Sequence, residues 1–566
     1  MGKSQIAKKV FSTALALMTA FGITACTNTN GASGKLEIKI VNFAGGVGRA
    51  WLDNAIERFK GEVENKAYGP YTGVKFNVLD TMEPDVENIA TSARHIYFIE
   101  GADVRGLIQK GRLLDISDII TEINEDGKSI ESKIDENYRA AFKGNDGKYY
   151  ALPHYEYFSG LSYDIELFEE KNYYFADPAA EDAQTYTSMA GFGSAKFVTS
   201  KNTVKSCGPN GEYGDYDDGL PSSVQELLIL CDKMGMEIDN PILYAGGHEH
   251  YLNHLLTGLW ASLAGAEEMQ TYFTMNGNME IVDGFEGTIF NSSVDAPKTK
   301  TQVVTEATGY YATQQAARYY ASAFIELAYN NGFIVNKNTN FSNTAAQKEF
   351  IESGVGATSV SGMLIEGSYW YNEAKSYDMF NKYYAATKFE KTSRSLGWMP
   401  LPVQLEGSVT EGNGKAPTML DTAGSAALVN GRFANNEAVV AACKDFIKFL
   451  YTDEELSAFT GDTGVAKSGM EYELDDEDYK KLDDFQKGIW AMREEGNVIS
   501  QGSNTPTFRN NSAAFMIRTL TPIVRPKTNA TYDSVLALLR TGNYTAKDYF
   551  DVTSIKADKW GEYYKN

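Results

Sequence analysis

Basic residues, proline and cysteine are all scarce in this chain of 566 residues, and each shortage argues against a class of protein. Lys and Arg total 52 against 75 Asp and Glu, which gives a formal net charge of −23. This balance argues against nucleic acid as the main partner, because binding phosphates needs a basic face. It also argues against adhesion of the folded body to anionic lipid. The 14 prolines are about half the usual proportion, so long Pro-rich linkers are excluded.

Motifs for catalysis and nucleotide binding are also lacking. The sequence has no Gly-x-Ser-x-Gly elbow, no P-loop and no Gly-x-Gly-x-x-Gly. The chain has 75 Asp and Glu residues, so the two carboxylates that a glycosidase needs could be chosen at many places. Their number is therefore not an argument for an enzyme. The composition is globular, with 43% apolar and 12% aromatic residues, and the 35 tyrosines suit carbohydrate stacking. The length predicts two to four domains.

The N-terminus has the pattern of an export signal. Three lysines among the first nine residues precede an uncharged apolar stretch at 10–23, which is too short to span a bilayer. The sequence Ile23-Thr24-Ala25-Cys26 resembles a bacterial lipobox, which implies cleavage before Cys26 and lipid, including palmitate, on its thiol. We therefore predict a lipoprotein signal peptide at 1–25 and a flexible tether at 26–35. The alternative is an ordinary signal peptide followed by an incidental cysteine.

The mature chain alternates between strand-like and helix-like segments. Residues 35–41 have the alternation of a strand, a Gly-rich turn follows, and residues 51–59 have helical periodicity. Further strands are predicted at 74–78 and 95–99, so we expect an α/β domain with a largely parallel sheet.

Two long segments and three cysteines of the mature chain do not belong to this alternation of strands and helices. Residues 181–219 and 266–308 are interpreted as long surface insertions. Cys207, Cys231 and Cys443 are odd in number, which argues against a disulfide framework but leaves one pair possible.

Five short segments of the mature chain follow one another in a characteristic order. They are Gln109 to Ser117, Lys143 to Asp164, Lys348 to Trp370, Met399 to Pro402 and Cys443 to Glu455. Each is weak alone, but in this order behind a lipobox they resemble the family 1 extracellular solute-binding proteins, the sugar-capturing lipoproteins of ABC importers. The resemblance extends from about residue 36 to the end. Chains of that family are usually shorter, so the two insertions depart from it.

The resemblance implies a periplasmic-binding-protein-like type II fold. This fold consists of two α/β lobes, a hinge that the chain crosses three times, and a cleft between the lobes. The implied boundaries are 36–153 and 405–460 for the N-terminal lobe, 159–398 and 468–566 for the C-terminal lobe, and hinge crossings near 154–158, 399–404 and 461–467. Ligands of open α/β sheets bind beyond the carboxyl ends of the strands, where the loops after the first and third predicted strands lie.

A sugar site needs flat aromatic rings for the apolar face of each sugar and planar polar groups for its hydroxyls. The candidate ligand-binding residues in the matching segments are Asn42, Glu100, Asp103, Tyr155, Tyr157, Trp260, Tyr369, Trp370 and Arg509. The alternative for each aromatic residue is a place in a hydrophobic core. For the carboxylates, the alternative is a solvated surface position.

Two clusters invite comparison with metal sites. His250 and His254 have a spacing that zinc can use on a helix, with His248 nearby, but a surface cluster and a role in the cleft are the alternatives. Asp215 to Gly219, with Glu226 further along, hints at a calcium loop, although glycine is not at its sixth position. We predict no metal and no cofactor.

The sequence therefore predicts a binding protein rather than an enzyme. Its expected partners are a small-molecule ligand, a sugar or oligosaccharide, and the transmembrane subunits of an ABC permease. It is expected to be a monomer on the extracytoplasmic face of the cell membrane, held there by the lipid on Cys26. A non-sugar solute such as a peptide or polyamine, a surface glycan-degrading enzyme, and a sensory or adhesive module without a permease remain alternatives.

Overall fold

The computed structural model describes most of the chain between residues 34 and 563. The described residues are 34–81, 86, 88–124, 127–334, 340–381, 394–421, 424–501, 505, 523–524, 531–532, 534–542 and 544–563. Among them, none of the helices combines the length and the hydropathy that crossing a lipid bilayer requires.

The strands of the described residues are distributed along the whole chain. In chain order they are β1 (Leu36–Phe43), β2 (Ala67–Tyr68), β3 (Tyr71–Thr72), β4 (Val74–Thr81), β5 (Ile96–Glu100), β6 (Ala151–Pro153), β7 (Ser159–Asp164), β8 (Gln184–Thr187), β9 (Ser194–Phe197), β10 (Asn240–Leu243), β11 (Gly277–Thr288), β12 (Asp295–Val304), β13 (Ser361–Gly367), β14 (Leu396–Met399), β15 (Thr418–Asp421), β16 (Ser425–Val429), β17 (Asn497–Ser500), β18 (Ile523–Val524) and β19 (Thr531–Tyr532).

Helices separate most of these strands. In chain order they are α1 (Ala50–Glu62), α2 (Val104–Gln109), α3 (Ser117–Thr121), α4 (Ile130–Lys133), α5 (Ile165–Lys171), α6 (Val224–Glu237), α7 (Leu252–Thr274), α8 (Ala316–Asn330), α9 (Asn343–Ile351), α10 (Trp370–Ser376), α11 (Glu437–Leu450), α12 (Asp453–Thr463), α13 (Asp476–Tyr479), α14 (Asp484–Glu495), α15 (Val535–Leu539), α16 (Ala546–Thr553) and α17 (Ala557–Tyr563).

The first lobe is built on a five-stranded sheet of order β4-β1-β5-β16-β6. Strand β1 runs parallel to β4 and β5, whereas β16 is antiparallel to β5 and β6. Helices α1 and α11 pack with this sheet in one core that includes Trp51, Phe59 and Phe446. The parallel part is the alternating α/β unit that the sequence predicts. The antiparallel strand β16 comes from a distant part of the chain.

The second lobe is built on a four-stranded sheet of order β10-β13-β7-β14. Strands β10 and β13 are parallel, and β7 is antiparallel to both β13 and β14. Helices α6, α7 and α8 contribute to its main core. Helix α6 begins at Val224, because Ser223 Oγ accepts a hydrogen bond from the backbone N–H of Glu226.

The chain passes between the two sheets three times. The first passage, 154–158, lies between β6 and β7. The second lies between β15 and β16, later than the expected 399–404, because residues 405–421 pack with the second lobe: Val409 packs on Cys207, and Leu420 lies in the main core of that lobe. The third follows Met470, which still pairs with Ile134 of the first lobe, and so lies after the expected 461–467.

The two long insertions contain antiparallel hairpins of their own. Strands β8 and β9 pair within 181–219, and the longer β11 and β12 pair within 266–308. Cys207, Cys231 and Cys443 lie in three different cores and are free and buried, so no disulfide joins them.

Candidate functional site

The three passages between the lobes are tied together by buried polar contacts. Glu156 of the first passage accepts a hydrogen bond from Arg493 Nε at 2.8 Å, and Arg493 also donates to the carbonyl of Met470. Ser468 Oγ donates to Asp421 of the second passage at 2.8 Å. Because burying unpaired charge is costly, these pairs hold the passages in one arrangement. They therefore form a defined hinge between the sheets.

The first-lobe wall of the cleft is formed where β1 and β5 end. Both strands are parallel, so their carboxyl ends lie at the same edge, followed by the Gly-rich turn 44–48 and by Glu100 at the end of β5. Gly46 has φ +60°, and a Cβ there would lie 3.1 Å from Glu100 Oε1 and would collide with the Tyr155 hydroxyl. Tyr155 is 1% exposed, and its hydroxyl has no hydrogen-bond partner among the described residues.

The opposite wall is aromatic and comes from the first passage and the second lobe. The ring of Tyr157 lies 5.0 Å from that of Tyr369 and 6.2 Å from that of His254, measured between centroids. Tyr251 lies 5.4 Å from His254, and Tyr155 lies 6.5 Å from Tyr157, so the rings continue across the first passage. These five side chains make one continuous aromatic surface, in which most of the neighbouring rings pack edge to face.

Three carboxyl groups border this aromatic surface. Glu366 and Glu373 of the second lobe accept hydrogen bonds from the same amide, Gln347 Nε2, at 3.2 and 2.7 Å. Burial, and then the charge of Glu373, raises the pKa of Glu100 to about 8. The same two causes raise the pKa of Glu366 well above its ordinary value. Glu100 and Glu373 come from different lobes, and the raised pKa of Glu100 favours its neutral, protonated form.

The lobes touch at the rim of this cleft. A Cβ at Gly48 of the first lobe would lie 2.9 Å from Ser376 Oγ of the second lobe. Asn372 on α10 donates a hydrogen bond to the carbonyl of Thr463 at the end of α12. The structure therefore shows a closed arrangement of the lobes, in which Glu100 is largely shielded from water.

Two of the predicted polar residues support the walls of the cleft. Asn42, fully buried, donates from Nδ2 to the carbonyl of Gly48 at 3.2 Å and to Asp80 Oδ1 at 3.1 Å, which fixes the Gly-rich turn. Its Oδ1 accepts no hydrogen bond within the described ranges. Asp103 is exposed and caps helix α2 by accepting a hydrogen bond from Gly106 N at 2.9 Å.

The two predicted tryptophans lie in hydrophobic cores. Trp260 is 1% exposed, and its indole N–H donates to Gln315 Oε1 within the second lobe. Trp370 is fully buried and donates to Ser162 Oγ at 2.7 Å. Neither ring presents a face to the cleft in this closed arrangement. Arg509 and Cys26 lie outside the described residues.

The histidine cluster divides between surface and cleft. His248 and His250 are exposed, whereas His254 turns inward and shares a hydrogen bond with Ser159 Oγ at 2.9 Å. Burial lowers the pKa of His254 to about 4, which favours the neutral ring in the cleft. Of the alternatives for this cluster, the structure gives His254 a place in the cleft and leaves the other two at the surface.

The acidic loop at 215–218 is the group of side chains closest to a metal-ligand arrangement in the described part of the chain. Carboxylate oxygens of Asp215, Asp217 and Asp218 lie within 4.8 Å of one another. Burial raises the pKa of Asp217 to about 9, and the neighbouring Asp215 adds to the rise. The loop also bonds to itself, since Asn210 donates to both Asp215 and Asp217.

Sequence reasoning missed several residues of the cleft. Gly46 stands in the Gly-rich turn that the sequence already shows, so its position after a strand was an available signal. Tyr251, Gln347, Glu366 and Glu373 have no comparable local signal. Glu373, for example, occupies an ordinary position on a short helix, and its place is decided by the packing of α10 against α9, where Gln347 donates to it.

Comparison with known proteins finds relatives by fold and not by sequence. No family model matches the chain, and no curated protein is a significant match. A chitin oligosaccharide binding protein is 13% identical with a TM-score of 0.52, and the alignment covers 94% of this chain and 99% of that one. The GacH receptor of Streptomyces glaucescens GLA.O, described unliganded and with acarbose bound, is 14% identical with a TM-score of 0.50 and coverage of 94% and 99%.

A third similar structure is a family 1 extracellular solute-binding protein from Bifidobacterium longum subsp. infantis, 14% identical over 94% of this chain and 100% of that one, with a TM-score of 0.45. At such identities the first two likenesses establish the fold. Two α/β lobes, three passages and a cleft between them define the two-lobed fold of solute-binding proteins. The fold that the sequence analysis expects, two α/β lobes with a cleft between them, is thereby confirmed.

Proposed function

We propose that this protein captures an oligosaccharide outside the cytoplasm and delivers it to an ABC importer, without acting on it as an enzyme. The observation that carries the proposal is the aromatic surface of the cleft, where Tyr155 and Tyr157 of the hinge continue into Tyr369, Tyr251 and His254. Flat rings beside buried polar groups are the arrangement that a sugar requires.

The mechanism follows from the hinge. A ligand that touches both lobes makes its full set of contacts only when the lobes close, so it shifts an open–closed equilibrium toward the closed form. Glu100 and Gly46 would contact it from one lobe, and Tyr369 and His254 from the other. The permease would then recognise the closed form, while an unliganded, open protein would be ignored.

The similar structures support a saccharide rather than a peptide. One is named for chitin oligosaccharides, and the other is described in complex with acarbose. Because those likenesses establish only the fold of this chain, the saccharide itself has to be found by experiment. A permease partner and a monomeric state rest on the family resemblance alone.

Thermal unfolding of the purified chain against a panel of mono- and oligosaccharides tests the proposal. A saccharide at 100 times its dissociation constant should add about 2.7 kcal/mol to the free energy of unfolding. The midpoint should therefore rise by a few degrees. The saccharide should be recovered unaltered. Shortened chains after incubation would favour a glycan-degrading enzyme, and a shift with spermidine or peptides alone would favour a non-sugar solute.

Lipid anchoring is part of the proposal and has its own test. Cys26→Ala should move the protein from the membrane fraction to the soluble fraction and abolish incorporation of labelled palmitate, because no other residue of the lipobox can carry the lipid. Cys207→Ala is the matched control, since this buried cysteine lies in a core of the folded body and its loss should leave the protein at the membrane. Membrane retention of the Cys26 variant would refute the anchor.

A further inference from the structure

The acidic loop of the first insertion holds three carboxylates close together. One oxygen from each of Asp215, Asp217 and Asp218 lies within 4.8 Å of the other two. None of the three forms an ion pair with a described lysine or arginine, and the nearby Lys205 instead places its ammonium 3.4 Å from the ring centre of Tyr174. The loop therefore gathers acidic oxygens without a basic side chain to pair with them.

Two of these side chains also have a buried oxygen without a partner. Asp217 is 0% exposed; its Oδ2 accepts a hydrogen bond from Asn210 N at 3.0 Å, but its Oδ1 accepts none within the described ranges. Asp218 is similar, because its Oδ2 accepts from Gly214 N at 2.8 Å and its buried Oδ1 has no partner among the described residues. Leaving a buried polar oxygen unsatisfied is costly. These two oxygens therefore indicate a ligand that the protein itself does not supply.

The chemistry of the donor atoms favours calcium among the metal ions. The cluster contains carboxylates and no histidine or cysteine, which is typical of sites for hard cations and not of zinc sites. Calcium accepts about six to eight oxygens in a flexible geometry, whereas magnesium requires a nearly regular octahedron. The loop is not an EF-hand, because Glu226, the residue that would close one, accepts hydrogen bonds from Ser222 and Ser408 instead.

We propose that Asp215, Asp217 and Asp218 bind a calcium ion that stabilises the second lobe, with water completing its coordination. None of these residues belongs to the aromatic surface or to the carboxyl groups of the cleft, so this inference does not depend on the proposed function. Calcium sites of extracellular modules have dissociation constants of about 10⁻⁴ to 10⁻³ M, and we expect this site to fall in that range.

The ion would fix the loop to a distant segment of the chain. Gly412 N donates a hydrogen bond to the carbonyl of Gly211 at 3.0 Å, and Lys415 N donates to the carbonyl of Pro209 at 3.0 Å. Both donors lie just before β15, the last strand before the second passage between the lobes. Calcium in this loop therefore stabilises the segment from which the chain enters that passage.

Addition of calcium to the full chain tests this inference. The protein is first treated with EDTA and dialysed at about pH 8, because burial raises the pKa of Asp217 to about 9 and calcium has to displace that proton. Calcium at about 10 mM, roughly a hundredfold excess over a dissociation constant of 10⁻⁴ M, should raise the unfolding midpoint by a few degrees. Magnesium at the same concentration should raise it far less.

Asp217→Asn and Asp218→Asn should each remove most of the rise that calcium causes, because each replaces a charged ligand. In EDTA both variants should unfold near the midpoint of the unsubstituted chain, since asparagine has the same shape and keeps one acceptor oxygen. Asp476→Asn is the matched control: it removes an exposed carboxylate from another acidic run, residues 475–478, and should leave the full rise.

The absence of any rise with calcium would overturn the inference. An equal rise in Asp217→Asn would overturn it too, because the ion would then bind elsewhere. So would an equal rise with magnesium, which would show only that divalent cations screen an acidic chain. Each of these results would leave the proposed function standing, since the saccharide panel can be repeated in EDTA.

Discussion

Replacing Gly46 by alanine should weaken solute binding about a hundredfold. Gly46 has φ +60°, where a side chain is strained, and the new methyl group would collide with the hydroxyl of Tyr155, which is itself 1% exposed. Either Tyr155 or the Gly-rich turn must move, and both line the cleft. A displacement that costs the closed complex about 3 kcal/mol corresponds to a hundredfold loss of affinity.

Gly111→Ala separates this effect from backbone strain. Gly111 has φ +62°, almost the same as Gly46, but no atom lies within 4 Å of the position of its Cβ. Both variants carry similar backbone strain, and only Gly46→Ala adds the collision with Tyr155 and should lose affinity for the saccharide selected by the panel. Calorimetric titration, together with the unfolding midpoint of each variant, provides the comparison. Equal affinities would show that the turn at Gly46 is not part of the binding site.

Replacing Arg394 by methionine should lower the free energy of unfolding by about 3 to 5 kcal/mol, because it leaves a buried charge without its partner. Arg394 Nη2 lies 2.6 Å from Asp164 Oδ2, and the Asp164 side chain is 1% exposed. The same guanidinium donates through Nη1 to the carbonyls of Phe350 and Ile351 at the end of α9. Asp164 also caps α5, through Leu167 N.

The pH dependence of this loss follows from Asp164. Burial raises the pKa of Asp164 in the folded state, and Arg394 opposes the rise. Without Arg394 the folded-state pKa rises further, so the penalty is absent below the unfolded-state pKa, grows as the pH rises from there to the folded-state pKa, and is constant above it. Denaturant unfolding at acid and neutral pH should therefore show the larger loss at neutral pH, and adding Asp164→Asn to the variant should recover part of it.

Lys480→Met provides the control for Arg394. Lys480 pairs with Glu477 at 2.6 Å, but both side chains are mostly exposed, so removal of that pair should change the stability by less than about 1 kcal/mol. A loss at Arg394 no larger than the loss at Lys480 would contradict the assignment of a buried ion pair between Asp164, the last residue of β7, and Arg394, two residues before β14.

The local elements of the first lobe could be predicted from the sequence because their patterns repeat over a few residues. The alternation at 35–41 became β1, and the predicted strands at 74–78 and 95–99 became parts of β4 and β5. The second hinge passage could not be placed in this way. It lies after β15 because β15 pairs in parallel with β17, a strand about eighty residues later, and no local pattern records that pairing.

The residues of the candidate site were likewise only partly predictable from the sequence. Tyr155, Tyr157 and Tyr369 were named from family-like segments, and the structure brings their rings together. Trp260 and Trp370 stand in equally suggestive segments but pack inward, because a tryptophan in a core and one in a cleft have the same local sequence pattern. Only the packing of the surrounding elements distinguishes the two positions.

The sequence by itself determined the alternating α/β units, the export signal and lipobox pattern, and the acidic, tyrosine-rich composition, since each of these depends on residue types and short spacings. The tertiary structure alone decided which side chains face the cleft. Glu100 of β5 is far along the chain from Glu366 of β13 and Glu373 of α10, and only the packing of the two lobes brings it to the same cleft. Burial raises the pKa of Glu100 and of Glu366, and burial is a property of the packed chain rather than of single residues.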